Sequence, residues 1–170
     1  MSRAFARDDG PDEPPVVAPR APLPGGVANY VTPRGLALLH EERERLTAER
    51  AAADADHTDE MERSRRLTVL SARLALLAER TARVQLVEPR PSAVARFGAT
   101  VAFRTGDAER TVTIVGVDEA DAAQGLVAFT SPVARALTGT TAGDAAELQT
   151  ATGPERIVVV SVLYPEAPAA

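Results

Sequence analysis

Between residues 33 and 84 the apolar positions recur with the period of an α-helix, in two separate stripes. The first stripe consists of Leu36, Leu39, Leu46 and Ala53. The second stripe, spaced strictly by three and four residues, consists of Leu67, Leu70, Leu74, Leu77, Thr81 and Val84. Such spacing is typical of the a/d seam of a two-stranded coiled coil. Because neither helix can bury its own stripe, the pattern predicts two helices that pack antiparallel as a hairpin over residues 30–88.

The residues at the ends of these stripes predict where the helices begin and end. Thr32 is a suitable N-cap, and Pro33 suits the first helical position. Pro89 and Pro91 end the second helix, because proline cannot continue the helical hydrogen bonds. Residues 53–59 carry no apolar stripe and are predicted to connect the two helices.

After residue 91 the apolar period changes to two, which predicts strands over residues 99–104, 111–117, 126–129 and 156–163. A short helix, residues 132–137 with Ser131 as its N-cap, interrupts them, and a turn at Gly143-Asp144 precedes residues 146–149. The sequence therefore predicts the α+β class, with an N-terminal antiparallel coiled-coil hairpin and a β-rich domain over residues 92–165.

Residues 1–29 contain six of the 13 prolines and few large apolar side chains. They also carry the acids Asp8, Asp9, Asp12 and Glu13. Such a segment cannot bury enough apolar surface to offset the entropy lost on ordering, so it is predicted to be a disordered tail. Residues 166–170 are predicted to be a flexible C-terminus.

Composition excludes several classes of function. The chain has no cysteine, which excludes disulfides and thiolate metal sites, and its two histidines make a histidine-based metal site improbable. It has neither an apolar run long enough to span a bilayer nor the apolar core of a signal peptide, which predicts a soluble cytoplasmic protein with no membrane partner. The net charge of −5 indicates that the chain as a whole is not a nucleic-acid binder.

Three stretches, taken in order, resemble one protein family. They are residues 30–36 (YVTPRGL), residues 97–101 (FGATV) leading to 114–121 (IVGVDEAD), and residues 131–137 (SPVARAL) followed by Gly143-Asp144. Over residues 30–165 the chain is similar to the bacterial Gre transcription elongation factors, nearer the GreB side, with a shortened coiled coil. The resemblance implies an antiparallel coiled coil followed by a domain similar to FKBP-type prolyl isomerases.

The resemblance also implies a mechanism. The C-terminal domain would dock beside the secondary channel of bacterial RNA polymerase, and the coiled coil would enter that channel. Its acidic tip would help to hold a second Mg²⁺, so that the polymerase cleaves backtracked RNA. The chain would be a monomer, would bind no cofactor stably by itself, and would meet nascent RNA and DNA only within the transcription complex. The implied docking residues are Ser131, Pro132, Val133, Arg135 and Leu137, and Thr130 stands where GreB-type proteins carry an aspartate.

The acidic tip departs from the family pattern, which reads Gly-Asp-x-x-Glu-Asn-Ala-Glu-Tyr. Its candidate residues are Asp54, Asp56, Asp59, Glu60 and Glu62. Asp56 and Asp59 keep a separation of three residues and are the candidates for the shared Mg²⁺. The hairpin is also shorter than in the cleavage factors by roughly two heptads, or about 20 Å. Either some of these acids still reach the metal, or they form a solvated loop whose charge favours a helix N-terminus.

Arginines concentrate on the second helix, and Arg63, Arg65, Arg66 and Arg73 are candidates for contact with RNA or the channel wall. The alternative is an ordinary coiled-coil surface on which they pair with acids of the first helix, such as Glu41, Glu42, Glu44 and Glu49.

The predicted function is that of a Gre-like elongation regulator that is not itself an enzyme and at most stimulates the cleavage activity of the polymerase. One alternative is a non-cleaving competitor that occupies the channel and blocks true cleavage factors. A second is a prolyl isomerase, for which four Phe, two Tyr and no Trp offer little material for an aromatic pocket. A third is a coiled-coil adaptor without a polymerase contact.

Overall fold

The computed structural model describes residues 17–165 and contains the hairpin that the apolar stripes predict. Helix α1 spans Pro33–Ala55 and helix α2 spans Glu60–Ala82. The Thr32 hydroxyl caps α1 by accepting from the Gly35 N–H, and the Asp59 carboxylate caps α2. Since only residues 56–59 separate them, the two helices run antiparallel.

The seam between the helices is the predicted one. Leu39, Leu46, Ala53, Leu70 and Leu77 are buried, and Leu36, Leu67, Leu74 and Val84 pack against them half-buried. Helix α2 nevertheless ends at Ala82, so Val84 joins this cluster from a strand and not from the helix.

Two short strands that the sequence did not predict close the base of the hairpin. Strand β1 (Asn29–Val31) and strand β2 (Val84–Leu86) pair in parallel, with Asn29 opposite Val84 and Val31 opposite Leu86. Val31 is buried in the helical seam. The strands therefore fix where the chain enters and leaves the hairpin.

The second unit is a five-stranded sheet. Its strands are β3 (Thr100–Thr105), β4 (Ala108–Val115), β5 (Leu126–Ala128), β6 (Ala145–Thr150) and β7 (Gly153–Leu163). Their order is β5-β4-β3-β7-β6, and all neighbours are antiparallel except β4 and β5. Helix α3 (Pro132–Leu137) follows β5 with the predicted Ser131 cap. The predicted α+β class, a helical hairpin followed by a β-rich domain, is confirmed.

The core of the sheet domain lies between one face of the sheet and helix α3. Phe103, Ile114, Ile157 and Val159 are its large buried strand residues, and Leu137 enters from α3. Two 3-10 turns, Val117–Glu119 and Ala122–Gln124, connect β4 to β5. We call Val117–Glu119 the acidic turn, because Asp118 and Glu119 project from it towards the hairpin.

The prediction of a disordered tail over residues 1–29 is wrong for the part that the structure describes. Asn29 belongs to β1 and is fully buried, and the Val27 N–H donates to the Pro24 carbonyl across a tight turn. Arg20 binds Glu42 of α1 and Asp118 of the acidic turn. Charged hydrogen bonds, which composition does not reveal, hold this segment against the rest of the chain. Residues 1–16 and the predicted flexible C-terminus, residues 166–170, lie outside the described residues.

Candidate functional site

The tip of the hairpin, residues 54–62, uses two of its acids to shape its own turn. Asp56 Oδ1 accepts from the Thr58 N–H at 3.1 Å and from the Thr58 hydroxyl at 2.6 Å. Asp59 Oδ1 accepts from the backbone N–H groups of Met61 and Glu62, each at 3.0 Å. The hydrogen bonds from Thr58, helped by the charge of Arg66, lower the pKa of Asp56 below its ordinary value.

Arg63 occupies two more of the tip acids. Its Nη1 lies 3.2 Å from Asp54 Oδ1, and its Nη2 lies 2.6 Å from Glu60 Oε1. The hydrogen bonds from Arg63 lower the pKa of Glu60. Of the five candidate acids, Glu62 alone makes no side-chain hydrogen bond or ion pair with any residue in the range 17–165. Within the same range, no three His, Asp or Glu side chains converge as a ligand set for a metal ion.

The predicted basic face of α2 is divided by these contacts. Arg63 is directed into the tip, whereas Arg65, Arg66 and Arg73 line a shallow groove of about 340 Å³ on the flank of the hairpin. Val69 and Leu70 line the same groove, together with the acids Glu49 and Glu62. Arg66 approaches Asp56 only to 3.9 Å. Glu42 and Glu49, which the sequence offered as partners for these arginines, bind Arg20 and Arg45 instead.

The predicted docking helix α3 presents only part of the predicted surface. The Ser131 hydroxyl accepts from the Ala134 N–H at 3.3 Å and so starts the helix. Pro132 and Arg135 are exposed, and Val133 is half-buried against the core. Leu137 has no exposed surface and belongs to the core, so its assignment as a docking contact is wrong. A helix of six residues that covers the sheet must place some of its apolar side chains in the core, so they are not available for docking.

Sequence analysis missed a buried junction between the hairpin and the sheet domain, formed by the acidic turn. Glu119 accepts from the Thr32 hydroxyl at 2.6 Å and from Arg34 Nη1 at 3.1 Å, and its side chain is 3% exposed. Gly35 is needed beneath it, because a Cβ there would lie 2.8 Å from Glu119 Oε2. The sequence shows this junction only as two adjacent acids after β4. Their spacing gives no indication that one of them contacts residues 32–34, which lie far away in the chain.

The neighbouring acid, Asp118, gathers cations from two other parts of the chain. Arg20 Nη2 lies 3.1 Å and Arg80 Nε 3.6 Å from its carboxylate oxygens. Arg20 also makes a bidentate contact with Glu42, at 2.9 and 3.0 Å. Its hydrogen bonds to Glu42 and Asp118 raise the pKa of Arg20 although its burial opposes the shift. Asn29 Nδ2 completes the group at 3.5 Å from Asp118.

Three aromatic rings fill the other side of the junction. Tyr30 of β1 packs against Phe97 and Phe129 with ring centroids 6.1 and 5.6 Å apart, and Phe97 packs against Phe129 at 5.8 Å. The contacts with Phe129 are edge-to-face, the favourable arrangement for such rings. Three of the six aromatic residues therefore pack on one another between the two units.

Comparison with known proteins gives one consistent family. The family model described as "Transcription elongation factor, GreA/GreB, C-term" matches residues 90–164. The transcription elongation factor GreB of Neisseria meningitidis serogroup A is 34% identical over 153 residues, which cover 80% of this chain and 94% of that protein. The transcription elongation factor GreA of Halorhodospira halophila is 36% identical over 139 residues, which cover 75% of this chain and 87% of that protein.

A solved structure of a GreA/GreB transcription elongation factor from Nitrosomonas europaea covers 79% of this chain and 98% of its own, at 23% identity and a TM-score of 0.39. Within residues 17–165, no helix is long and apolar enough to cross a membrane. The sequence identity to relatives that are matched over nearly their whole length shows that this chain belongs to the GreA/GreB family of transcription elongation factors.

Proposed function

We propose that this chain is a non-cleaving Gre-family regulator of bacterial RNA polymerase. The sheet domain docks beside the secondary channel through the exposed part of helix α3, and the hairpin enters the channel. There it excludes a cleavage-stimulating Gre factor without supplying ligands for a second Mg²⁺.

The observation that carries this proposal is the state of the tip acids. Asp56 and Asp59 accept hydrogen bonds from the backbone of their own turn, and Asp54 and Glu60 are bound by Arg63. A carboxylate that ligates Mg²⁺ must place an oxygen within about 2.1 Å of the ion or act through a bound water. Asp56 and Asp59 would first have to give up the contacts that form the turn and start α2. The tip is therefore poorly suited to complete a shared metal site.

The length of the arm supports the same conclusion. Each helix of the hairpin has 23 residues and is about 35 Å long. The alignment with the Neisseria protein spans 153 positions, more than the 80% of 170 residues that this chain contributes to it. The relative thus has residues that this chain lacks. The difference is about 17 residues, and their loss from the hairpin would shorten each of its two arms by about eight residues, so that the tip would stop about 12 Å short of the catalytic metal.

Two surfaces would carry the contacts with the transcription complex. Pro132 and Arg135 are exposed on α3, and Arg135 makes no ion pair within residues 17–165, so both are available for docking. The groove lined by Arg65, Arg66 and Arg73 faces outward along the hairpin and would meet nascent RNA or the channel wall. A net charge of −5 restricts contact with nucleic acid to the assembled complex.

Transcript cleavage in stalled, backtracked complexes tests the proposal. The chain alone should not stimulate cleavage, and in excess it should suppress stimulation by an authentic Gre factor. Pro132→Ala combined with Arg135→Glu should abolish the suppression, whereas Asp56→Ala should leave it unchanged because docking lies elsewhere. Arg110→Glu, on an exposed strand residue away from α3, is the matched control for the change of charge.

The competing function, stimulation of cleavage, gives a distinct result. If the wild-type chain stimulates cleavage of backtracked RNA by the polymerase and Asp56→Ala or Asp59→Ala lowers that rate by about 100-fold, the tip is a metal-binding site and the proposal is wrong. If the α3 double variant suppresses cleavage as strongly as the wild-type chain does, the docking surface assigned to α3 is wrong.

A further inference from the structure

The N-terminal segment, residues 17–28, contacts both units of the protein through one side chain. Arg20 donates from Nη1 and Nη2 to Glu42 of α1 at 2.9 and 3.0 Å, and from Nη2 and Nε to Asp118 at 3.1 and 3.4 Å. The Arg20 side chain is 22% exposed and that of Asp118 only 6%. A single guanidinium group thus joins the hairpin to the sheet domain.

Helix α2 holds the same segment from its other side. Arg80 donates to the carbonyl of Ala21 and lies 3.6 Å from Asp118. The group comprises two cations, Arg20 and Arg80, and two anions, Glu42 and Asp118, so its charges balance. Such a neutral group loses less on desolvation than an unmatched buried charge.

The position of Glu42 makes this contact mechanically distinct from the junction at Glu119. Glu119 holds the first turn of α1 through Thr32 and Arg34. Glu42 lies eight residues beyond Arg34, about 12 Å further along the helix. One point of attachment lets a helix pivot, whereas a second point at a distance opposes tilting. With an arm of about 35 Å, a tilt of about 10° would displace the tip by about 6 Å.

We propose that Arg20 is a positioning residue that fixes the direction of the hairpin relative to the sheet domain. The role of Arg20 in positioning the hairpin does not depend on the proposed function. Only its consequence does, namely that the position of the tip decides how well the hairpin fills the channel. In the absence of the Arg20 contacts, the hairpin keeps its fold, its attachment at Glu119 and the Arg80–Asp118 contact near the end of α2, but α1 loses its second point of attachment and samples a wider range of directions.

The distance between the tip and the sheet domain tests the proposal directly. Because the chain contains no cysteine, Met61→Cys at the tip and Glu147→Cys on β6, both exposed, allow two spin labels to be placed specifically in the full chain. Electron–electron double resonance should give one narrow distance distribution for otherwise wild-type protein. Arg20→Ala should raise the population of other distances about tenfold, the effect of losing about 1.4 kcal/mol of charge-assisted contacts.

Two further variants separate positioning from general destabilisation. Arg20→Lys should restore the narrow distribution only in part, because an ammonium group cannot reproduce the bidentate contact with Glu42. Arg45→Ala removes an Arg–Glu pair that lies entirely within α1, between Arg45 and Glu49, and should leave the distribution unchanged. Glu42→Gln, which weakens the same contact at the partner of Arg20, should also broaden the distance distribution. The test therefore does not depend on a single variant folding well.

An unchanged distribution in Arg20→Ala and Glu42→Gln would overturn the proposal, and so would equal broadening in Arg45→Ala. The distance measurement needs no polymerase, so its outcome is independent of the proposed function. If the chain competes for the channel, Arg20→Ala should also raise the concentration needed for half-suppression of an authentic Gre factor several-fold, whereas Arg45→Ala should not. If the wild-type chain does not compete at all, the proposed function fails while the distance distributions still decide the role of Arg20.

Discussion

Replacing Glu119 with alanine should lower the free energy of unfolding by about 2 kcal/mol. The carboxylate is buried and accepts a 2.6 Å hydrogen bond from the Thr32 hydroxyl. A hydrogen bond to a charged group contributes about 1.5–3 kcal/mol. The contact with Arg34 adds little, about 0–1 kcal/mol, because the Arg34 side chain is 54% exposed and screened by solvent. The Thr32 hydroxyl also caps α1, so the loss acts on the hairpin as well as on the junction.

Urea unfolding followed by far-ultraviolet circular dichroism measures this change. Glu79→Ala is the matched control, because within residues 17–165 Glu79 pairs only with Arg83, on the exposed face of α2, and its loss should cost less than about 0.5 kcal/mol. Thr32→Val completes a double-mutant cycle with Glu119→Ala, and the coupling between the two sites should be at least about 1 kcal/mol. If the two changes add within about 0.3 kcal/mol, the hydrogen bond does not couple the units and the assignment of the junction is wrong.

Three further predictions test other parts of the molecule. Thr58→Ala should raise the pKa of Asp56 part of the way to its ordinary value, as measured by carbon-13 titration, and an unchanged pKa would refute the hydrogen bonds from Thr58. Because the pKa of Asp56 is lowered in the folded chain, the ionised carboxylate stabilises the turn at neutral pH, and this stabilisation is lost as the pH falls through the lowered pKa. Gly116→Ala should cost about 2 kcal/mol in urea unfolding, because its Cβ would lie 2.7 Å from the Tyr30 carbonyl, and no cost would contradict that close approach. Deleting residues 1–28 should lower the unfolding free energy by about 1 kcal/mol through loss of Arg20, whereas deletion through residue 16 keeps those contacts and serves as the control.

The hairpin could be predicted because its information is local and repeated. The seam of Leu67, Leu70, Leu74 and Leu77 has the period of a helix, and Thr32-Pro33 marks a helix start by side-chain chemistry alone. Strands β1 and β2 could not be found in the same way. Each has three residues, too few to show a period, and their parallel pairing joins positions 55 residues apart, such as Asn29 and Val84.

The site was less predictable, because it depends on which charges meet. The tip acids could be named from the sequence, but nothing in their spacing showed that Arg63 would bind two of them. Arg20 was missed for the same reason, since its partners lie 22 and 98 residues away in the chain. Apolar periodicity places elements, whereas a single charged contact between elements leaves no periodic trace.

The electrostatics of the two helix ends explain how most of the acids at the tip are accommodated by the chain itself. The last turn of α1 contains no basic residue, and Asp54 stands where the helix dipole disfavours negative charge. Arg63 supplies the missing cation from the other helix, since its Nη1 lies 3.4 Å from the Asp54 carbonyl oxygen and 3.2 Å from the Asp54 carboxylate. At the start of α2 the dipole has the opposite sign and favours Asp59 and Glu60. A metal ion at the tip would therefore compete with Arg63 and with the N-terminus of α2 for oxygen atoms that already have partners.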